Sequence, residues 1–320
     1  MERQIRVCLA GAGAFGTKHL EAIAGIDGME VVSLVGREPV GTRKVAERFG
    51  IDHVSTDLGE VLTLPDIDAV ILCTPTQLHA AQAIACLKAG KHVQVEIPMA
   101  DNLADAEELV RIQQATGLVA MAGHTRRYNP SHQWIHRRIS AGELRLLQMD
   151  VQTYFLRRTN LNARGEPRSW TDHLLWHHAC HTVDLFQYQT GETAVQANAI
   201  QGPLSPTLDI AMDMSVQLKV ASGAICTLSL SFNNEGPLGT VFRYICDKGT
   251  YIARYDDLFD GNNTRVDVSQ VDVSLNGIEL QNRGFLDAIR RSEEPISSVS
   301  RVLPAYQTLH RLEAALVVGL

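Results

Sequence analysis

Short apolar runs alternate with stretches of helical period along the first third of the chain. The runs IRVCLA (5–10), MEVVSLV (29–35), AVILC (69–73), KHVQVE (91–96) and LVAMAG (118–123) are separated by helical patterns through Leu20 and Ile23, through Val45 and Phe49, over 79–89 and over 104–116. Runs with little polar alternation describe strands covered on both faces, and their alternation with helices predicts a parallel, doubly wound α/β sheet. The pattern changes after Gly123. AMDMSVQLKV (211–220) and ICTLSLSF (225–232) alternate apolar and polar positions, as strands with one buried face do. A first domain over 1–123 and a second, α+β domain over 124–320 with an open, mostly antiparallel sheet are therefore expected. Helical patterns over 279–292 and 300–317 close the chain and are candidates to pack back on the first domain. The outward positions Ser215, Gln217, Ser229 and Ser231 mark a face that is either solvated or a pairing surface.

With 320 residues, 45% of them hydrophobic, the chain can fill two ordinary cores. Its formal charge of −7 is scattered, which points away from nucleic acid and from a polybasic membrane contact and toward small-molecule partners. Six cysteines without a CxxC pair lie in apolar stretches, as reduced thiols do. The N-terminus enters a strand pattern directly and no run reaches membrane-spanning length, so a cytoplasmic protein is expected.

The first candidate chemistry lies directly after the first strand, where GAGAFG sets Gly11, Gly13 and Gly16 at GxGxxG spacing around Ala14 and Phe15. Between a strand and a helix, this spacing allows a tight turn, close approach to a dinucleotide pyrophosphate, and a helix N-terminus aimed at the anion. The second strand ends LVGREP, with Gly36 where an acid would bind the ribose hydroxyls of NAD and Arg37 beside it. Losing the acid and gaining a guanidinium favours the 2′-phosphate of NADP. Glu38 can still accept from a hydroxyl, which keeps NAD open.

CTPTQLHAAQAIACLKAGKHVQVEIP (73–98) resembles the hallmark of the glucose-fructose oxidoreductase / inositol dehydrogenase (Gfo/Idh/MocA) family, with Thr74, Pro75, His79, Ala89, Gly90, Lys91, His92, Val93, Glu96 and Pro98 at matching positions. GHTRRYNP (123–130) and HTVD (181–184) extend the resemblance along the chain. It implies a Rossmann domain followed by an open-sheet domain, homodimers or tetramers formed through that sheet, and NAD(P)-dependent oxidation. On the first domain it implies cofactor contacts from Cys73, Thr74, Pro75, His79, Glu96 and Ile97. Two departures stand out. The family's Glu-Lys-Pro lysine, which supports the developing alkoxide, is Ile97 here, and the first aspartate of the family's Asp-x-x-x-His-x-x-Asp is His177. The resemblance places His181 as general base with His177 as its partner. Without the lysine, a hydroxyl easier to deprotonate than a sugar alcohol, such as a hemiacetal's, suits the site.

SWTDHLLWHHACHTVDLF (169–186) brings His173, His177, His178 and His181 together. At α-helical spacing, 173, 177, 181 and 184 share one face and His178 turns away. A zinc site would need a third ligand that no HExxH or cysteine set supplies, so no metal is expected. Neutral imidazole accepts a hydroxyl proton near pH 7, and which of His177 and His181 does so stays open. His173 and Asp184 are candidates for substrate contact, with a capping role and a structural ion pair as the alternatives. Arg126, Arg127, Arg157, Arg158 and Arg168 gather in the same region with Trp170. Planar guanidinium groups suit carboxylates, so Arg126, Arg168 and Trp170 are expected to bind a small anion, which the resemblance at its closest implies is a dicarboxylate. A sugar or cyclitol dehydrogenase fits the cofactor motifs too, and a non-catalytic NADP sensor would follow if losing the lysine meant losing the chemistry.

Overall fold

The structure, a computed structural model, describes residues 3–161, 165, 167, 168, 172–269 and 277–318. The chain divides into two compact units, Met1–His124 with Ile278–Leu303, and Thr125–Gly277 with Pro304–Leu320.

In the first unit, strands β1 (Ile5–Ala10), β2 (Met29–Val35), β3 (His53–Ser55), β4 (Ala69–Leu72), β5 (His92–Val95) and β6 (Ala120–Ala122) form one parallel sheet in the order β3-β2-β1-β4-β5-β6. That order reverses direction of winding beside β1, which opens a crevice at the C-terminal ends of β1 and β4. Helices α1 (Ala14–Ile23), α2 (Pro39–Phe49), α3 (Leu58–Leu62), α4 (His79–Lys88) and α5 (Leu103–Thr116) make the crossovers. Val7, Leu9, Ile71 and Leu72 are fully buried, as strands covered on both faces require. Each such side chain contributes roughly 1.5–3 kcal/mol through burial.

The second unit begins with a 3₁₀ turn (Thr125–Arg127) and α6 (Pro130–Ser140), then β7 (Leu146–Tyr154). A π-helical turn (Leu174–Ala179) runs into α7 (Cys180–Thr190), and β8 (Gln196–Gln201), β9 (Asp213–Lys219), β10 (Ile225–Ser231), β11 (Gly239–Cys246), β12 (Gly249–Arg254) and β13 (Asp257–Asp260) follow. The seven strands pair in the order β13-β12-β11-β7-β10-β9-β8, antiparallel except for the parallel pair of β7 with β10. The period-two alternation is literal in β9 and β10: Met214, Val216, Leu218, Cys226, Leu228 and Leu230 are buried, with polar residues between them. Two helices close the chain, α8 (Gly277–Arg291) and α9 (Val299–Val318).

Candidate active site

In the first unit, three residues separate β1 from α1. Gly11 adopts φ +113°, and a Cβ there would lie 2.3 Å from the carbonyl oxygen of Cys73, while a Cβ on Gly16 would lie 1.8 Å from the carbonyl oxygen of Gly11. Any side chain at either position would force the turn apart. At Gly13 no atom stands within 4 Å of the corresponding position, and this residue caps α1 without a side-chain hydrogen bond. The cradle thus has open room and an uncapped helix N-terminus, which fits a dinucleotide pyrophosphate. Exposed Ala14 and Phe15 form its rim, with the Lys18 ammonium 5.4 Å from the Phe15 ring centre.

Beside Gly11, the end of β4 supplies Cys73, Thr74 and Pro75, all half-buried. The Thr74 hydroxyl donates to Gln82 Oε1 at 2.6 Å. Buried His79 ties two loops together, with its ring nitrogens 2.8 Å from the carbonyl oxygens of Thr74 and Pro98. Burial pushes its pKa down. Ile97, half-buried, precedes Pro98 through a cis peptide.

Glu96 is buried under these loops. Its Oε1 meets His19 Nε2 at 3.0 Å and accepts from Gln281 Nε2 at 3.1 Å. The other His19 nitrogen meets Asn282 Oδ1 at 3.0 Å, so both ring nitrogens face oxygen acceptors. Burial opposes a charge on His19, but Cys73 and Glu96 outweigh it and hold the ring's pKa well above 6.5. In this arrangement Glu96 and charged His19 brace α1 against β5 and α8.

At the end of β2, Arg37 is exposed, and Glu38 is the N-cap of α2, accepting from the backbone N–H groups of Val40 (3.0 Å) and Gly41 (2.5 Å). Both oxygens of that carboxylate are thus drawn to the start of α2.

In the second unit, the histidine stretch departs from the expected α-helix. Leu174–Ala179 form a π turn, whose wider winding rotates the following side chains relative to α-helical spacing. His178 meets Asp172 Oδ2 at 3.7 Å and sets its ring edge-on to Phe232, centroids 5.0 Å apart. His173 caps the turn, its Nδ1 accepting the Leu175 N–H at 3.2 Å. His177 Nδ1 accepts the His173 N–H at 2.9 Å. Burial, opposed by Asp172, pushes the His177 pKa down to about 4. A neutral ring accepting at Nδ1 carries its hydrogen on Nε2. His181 follows, half-buried, in the first turn of α7.

Asp184, for which a substrate contact and a structural ion pair were both open, is fully buried, and its two oxygens accept from Arg127 Nε (2.8 Å) and Nη2 (2.6 Å). Both oxygens are thus engaged in a bidentate structural ion pair. Arg168 is drawn to Asp172, with Nη1 3.0 Å from Oδ1. Arg157 binds the other oxygen of Asp172, so one carboxylate gathers Arg157, Arg168 and His178. Those partners outweigh burial and hold the Asp172 carboxyl far below the usual range. Arg126 lies over Phe242 and Tyr255, 5.6 and 5.1 Å from the ring centres, with no acid in ion-pair range among the described residues. Burial lowers its pKa, and Tyr255 and Asp256 oppose the shift. Trp170 lies outside the described residues.

Asp172 and His19 were not singled out by sequence reasoning, and the ion pair left open for Asp184 had no named partner there. Asp172 had one available signal, an acid immediately before the histidine stretch.

Residues 5–124 match the family described as "Oxidoreductase family, NAD-binding Rossmann fold", and residues 130–272 match "Bacterial oxidoreductases, C-terminal". The chain belongs to this family of oxidoreductases. A protein named 4-carboxy-2-hydroxymuconate-6-semialdehyde dehydrogenase, from Sphingobium sp. (strain NBRC 103272 / SYK-6), is 66% identical over 98% of this chain and 99% of its own length. Inositol 2-dehydrogenase 4 from Saccharopolyspora erythraea is 27% identical over 78% of this chain and 73% of its own. Among solved structures, a levoglucosan dehydrogenase complexed with NADH and levoglucosan superposes with a TM-score of 0.86 at 19% identity, covering 99% of this chain and 98% of that one. The family's NAD(P)-dependent oxidoreductase activity accordingly belongs to this chain. No helix among the described residues is long and apolar enough to cross a membrane.

Proposed function

We propose that this protein oxidises the cyclic hemiacetal of 4-carboxy-2-hydroxymuconate-6-semialdehyde to 2-pyrone-4,6-dicarboxylate, using NADP+ in preference to NAD+, as a cytoplasmic step of protocatechuate 4,5-cleavage in the catabolism of lignin-derived aromatics. The observation that carries this reading is the 66% identity, over nearly the whole of both chains, to the dehydrogenase of that name. The residues agree with it. Ile97 removes the alkoxide-stabilising lysine, which a hemiacetal hydroxyl tolerates better than a sugar alcohol does. Arg126 offers an aromatic-backed guanidinium for a carboxylate.

The residues that would hold the nucleotide are Gly11, Gly13 and Gly16 at the pyrophosphate, Arg37 at the 2′-phosphate, and the loops of Cys73–Pro75 and Glu96–Ile97 at the nicotinamide end. Once bound there, it supplies the hydride acceptor for the hydrogen on C6. The chain's own residues handle the hydroxyl proton. His177, neutral and accepting at Nδ1, presents Nε2–H as a donor, which leaves His181 as the group that takes the proton while C6 loses hydride. The outward face of β7–β13 serves as the surface for a homodimer or tetramer, and the 1–123 and 124–320 regions divide cofactor and substrate binding between them.

The test is reduced-nicotinamide absorbance after mixing the protein and NADP+ with freshly made protocatechuate 4,5-cleavage product, with inositol and glucose in parallel. Reduction with the ring-cleavage product alone is expected. Tight NADP+ binding without turnover of any of the three would overturn the reading.

A further inference from the structure

A cavity of about 350 Å³ lies entirely within the second unit, beyond the end of β7. Its polar lining includes Arg157, Arg158, Asp213 and Asn233, and Leu204 and Met212 are among its apolar walls. None of these was assigned a role above beyond Arg157's bond to Asp172.

Charge decides what such a cavity attracts. Asp213 is the acid in the lining, and both its oxygens are occupied, accepting from Ser231 Oγ and Asn233 Nδ2 at 2.7 Å each. The lining thus carries two guanidinium groups against one carboxylate, whose oxygens are already engaged by neutral donors. Both arginines are held in place before any ligand arrives. Arg157 is anchored through Nη2 on Asp172 and lies 4.8 Å from the Phe232 ring centre, while its buried Nη1 has no hydrogen-bond partner among the described residues. Arg158 is fixed through Nη1, which reaches the carbonyl oxygen of Arg157 (3.1 Å), Asn233 Oδ1 (3.1 Å) and the carbonyl oxygen of Phe232 (3.4 Å). Rigid guanidinium groups bind carboxylates with little ordering cost. The volume lies at the low end of small-molecule sites, roughly 300–1,000 Å³. Apolar walls beside guanidinium groups suit a carboxylate carried on an apolar body.

We propose that this cavity is a carboxylate subsite, in which Arg157 and Arg158 receive the substrate carboxylate remote from the reacting carbon. The assignment rests on the dicarboxylate reading of the reaction given above. Arg157 then links the subsite to the histidine stretch, because its other nitrogen binds the carboxylate that holds His178.

The experiment titrates benzene-1,3-dicarboxylate and benzoate into the NADP+-loaded protein by calorimetry, and measures dicarboxylate inhibition of turnover. Wild type, Arg158→Gln and Leu204→Trp are compared, the last narrowing the cavity without changing charge. Wild type is expected to bind the dicarboxylate at least about tenfold tighter than benzoate, and both variants to lose most of that preference while keeping their NADP+ affinity. Inhibition is expected to be competitive with the hemiacetal. Unchanged dicarboxylate preference in both variants, or inhibition that is not competitive, overturns the proposal. Arg158-dependent binding in a protein that fails to turn over the hemiacetal supports the carboxylate subsite and overturns only the substrate named for it.

Discussion

His177 accepts the backbone N–H of His173 on its Nδ1, at 2.9 Å. A backbone N–H can only donate, so this bond sets the tautomer of a ring whose pKa lies near 4 and makes His177 a donor in the neutral range. On the proposed assignment the two histidines differ in role. His181→Asn should lower kcat by about 10²–10⁴-fold with a much smaller effect on KM, whereas His177→Gln, which keeps an N–H donor, should retain far more activity. Steady-state kinetics of the two variants check this, and near-normal turnover in His181→Asn would remove that residue from the base position.

The same ring makes a stability prediction. Its pKa is depressed when folded, so the unfolded chain binds the extra proton first as pH falls. Stability is complete above the ordinary histidine value near 6.5 and declines between there and about 4, by up to about 3 kcal/mol from this group. His177→Gln should flatten the acid side of a plot of melting temperature against pH over that interval. An unchanged slope would mean that the ring is not held neutral.

His19 has the opposite sign. Cys73 and Glu96 hold its pKa well above 6.5, so the stability it contributes is complete below that value and is lost as pH rises through the raised one. His19→Gln should make the alkaline side of the melting profile shallower. Nitrogen-15 NMR of the ring at pH 7.5 should report an imidazolium in the native protein.

Asp184 and Arg127 form a bidentate pair with side chains only 0% and 6% exposed. Removing one partner strands the other in a site that excludes water. Asp184→Asn should cost about 3–5 kcal/mol, read by chemical denaturation. A loss under about 1 kcal/mol would show that the pair is replaceable by neutral hydrogen bonds.

The exposed Arg37 and the engaged Glu38 predict cofactor choice. Arg37→Ser should raise KM for NADP+ by about tenfold or more and leave KM for NAD+ nearly unchanged. Equal effects on both nucleotides would place the guanidinium away from the 2′-phosphate.

Those predictions draw unequally on sequence and structure. The doubly wound sheet was legible because parallel strands covered on both faces leave long apolar runs, and the cradle was legible because Gly11 and Gly16 answer to backbone distances that no other residue satisfies. The half-buried sheet was legible because alternation in β9 and β10 has period two. The parallel pairing of β7 with β10 was not, because a strand's own sequence does not name its neighbours.

The histidine stretch shows the limit most clearly. Its residue types announced proton chemistry, but its winding was not legible, since a π turn is a backbone choice with no side-chain signature. Likewise the sequence by itself determined that several arginines lie around residues 126–168, because covalent order is all that requires. Only the tertiary structure decided that Arg127 is spent on Asp184, that Asp172 draws Arg157 and Arg168, and that Arg126 lies on aromatic faces. Ion pairing depends on which charges folding brings within a few ångströms in low dielectric, and separations of 15 or 57 positions along the chain carry no record of it.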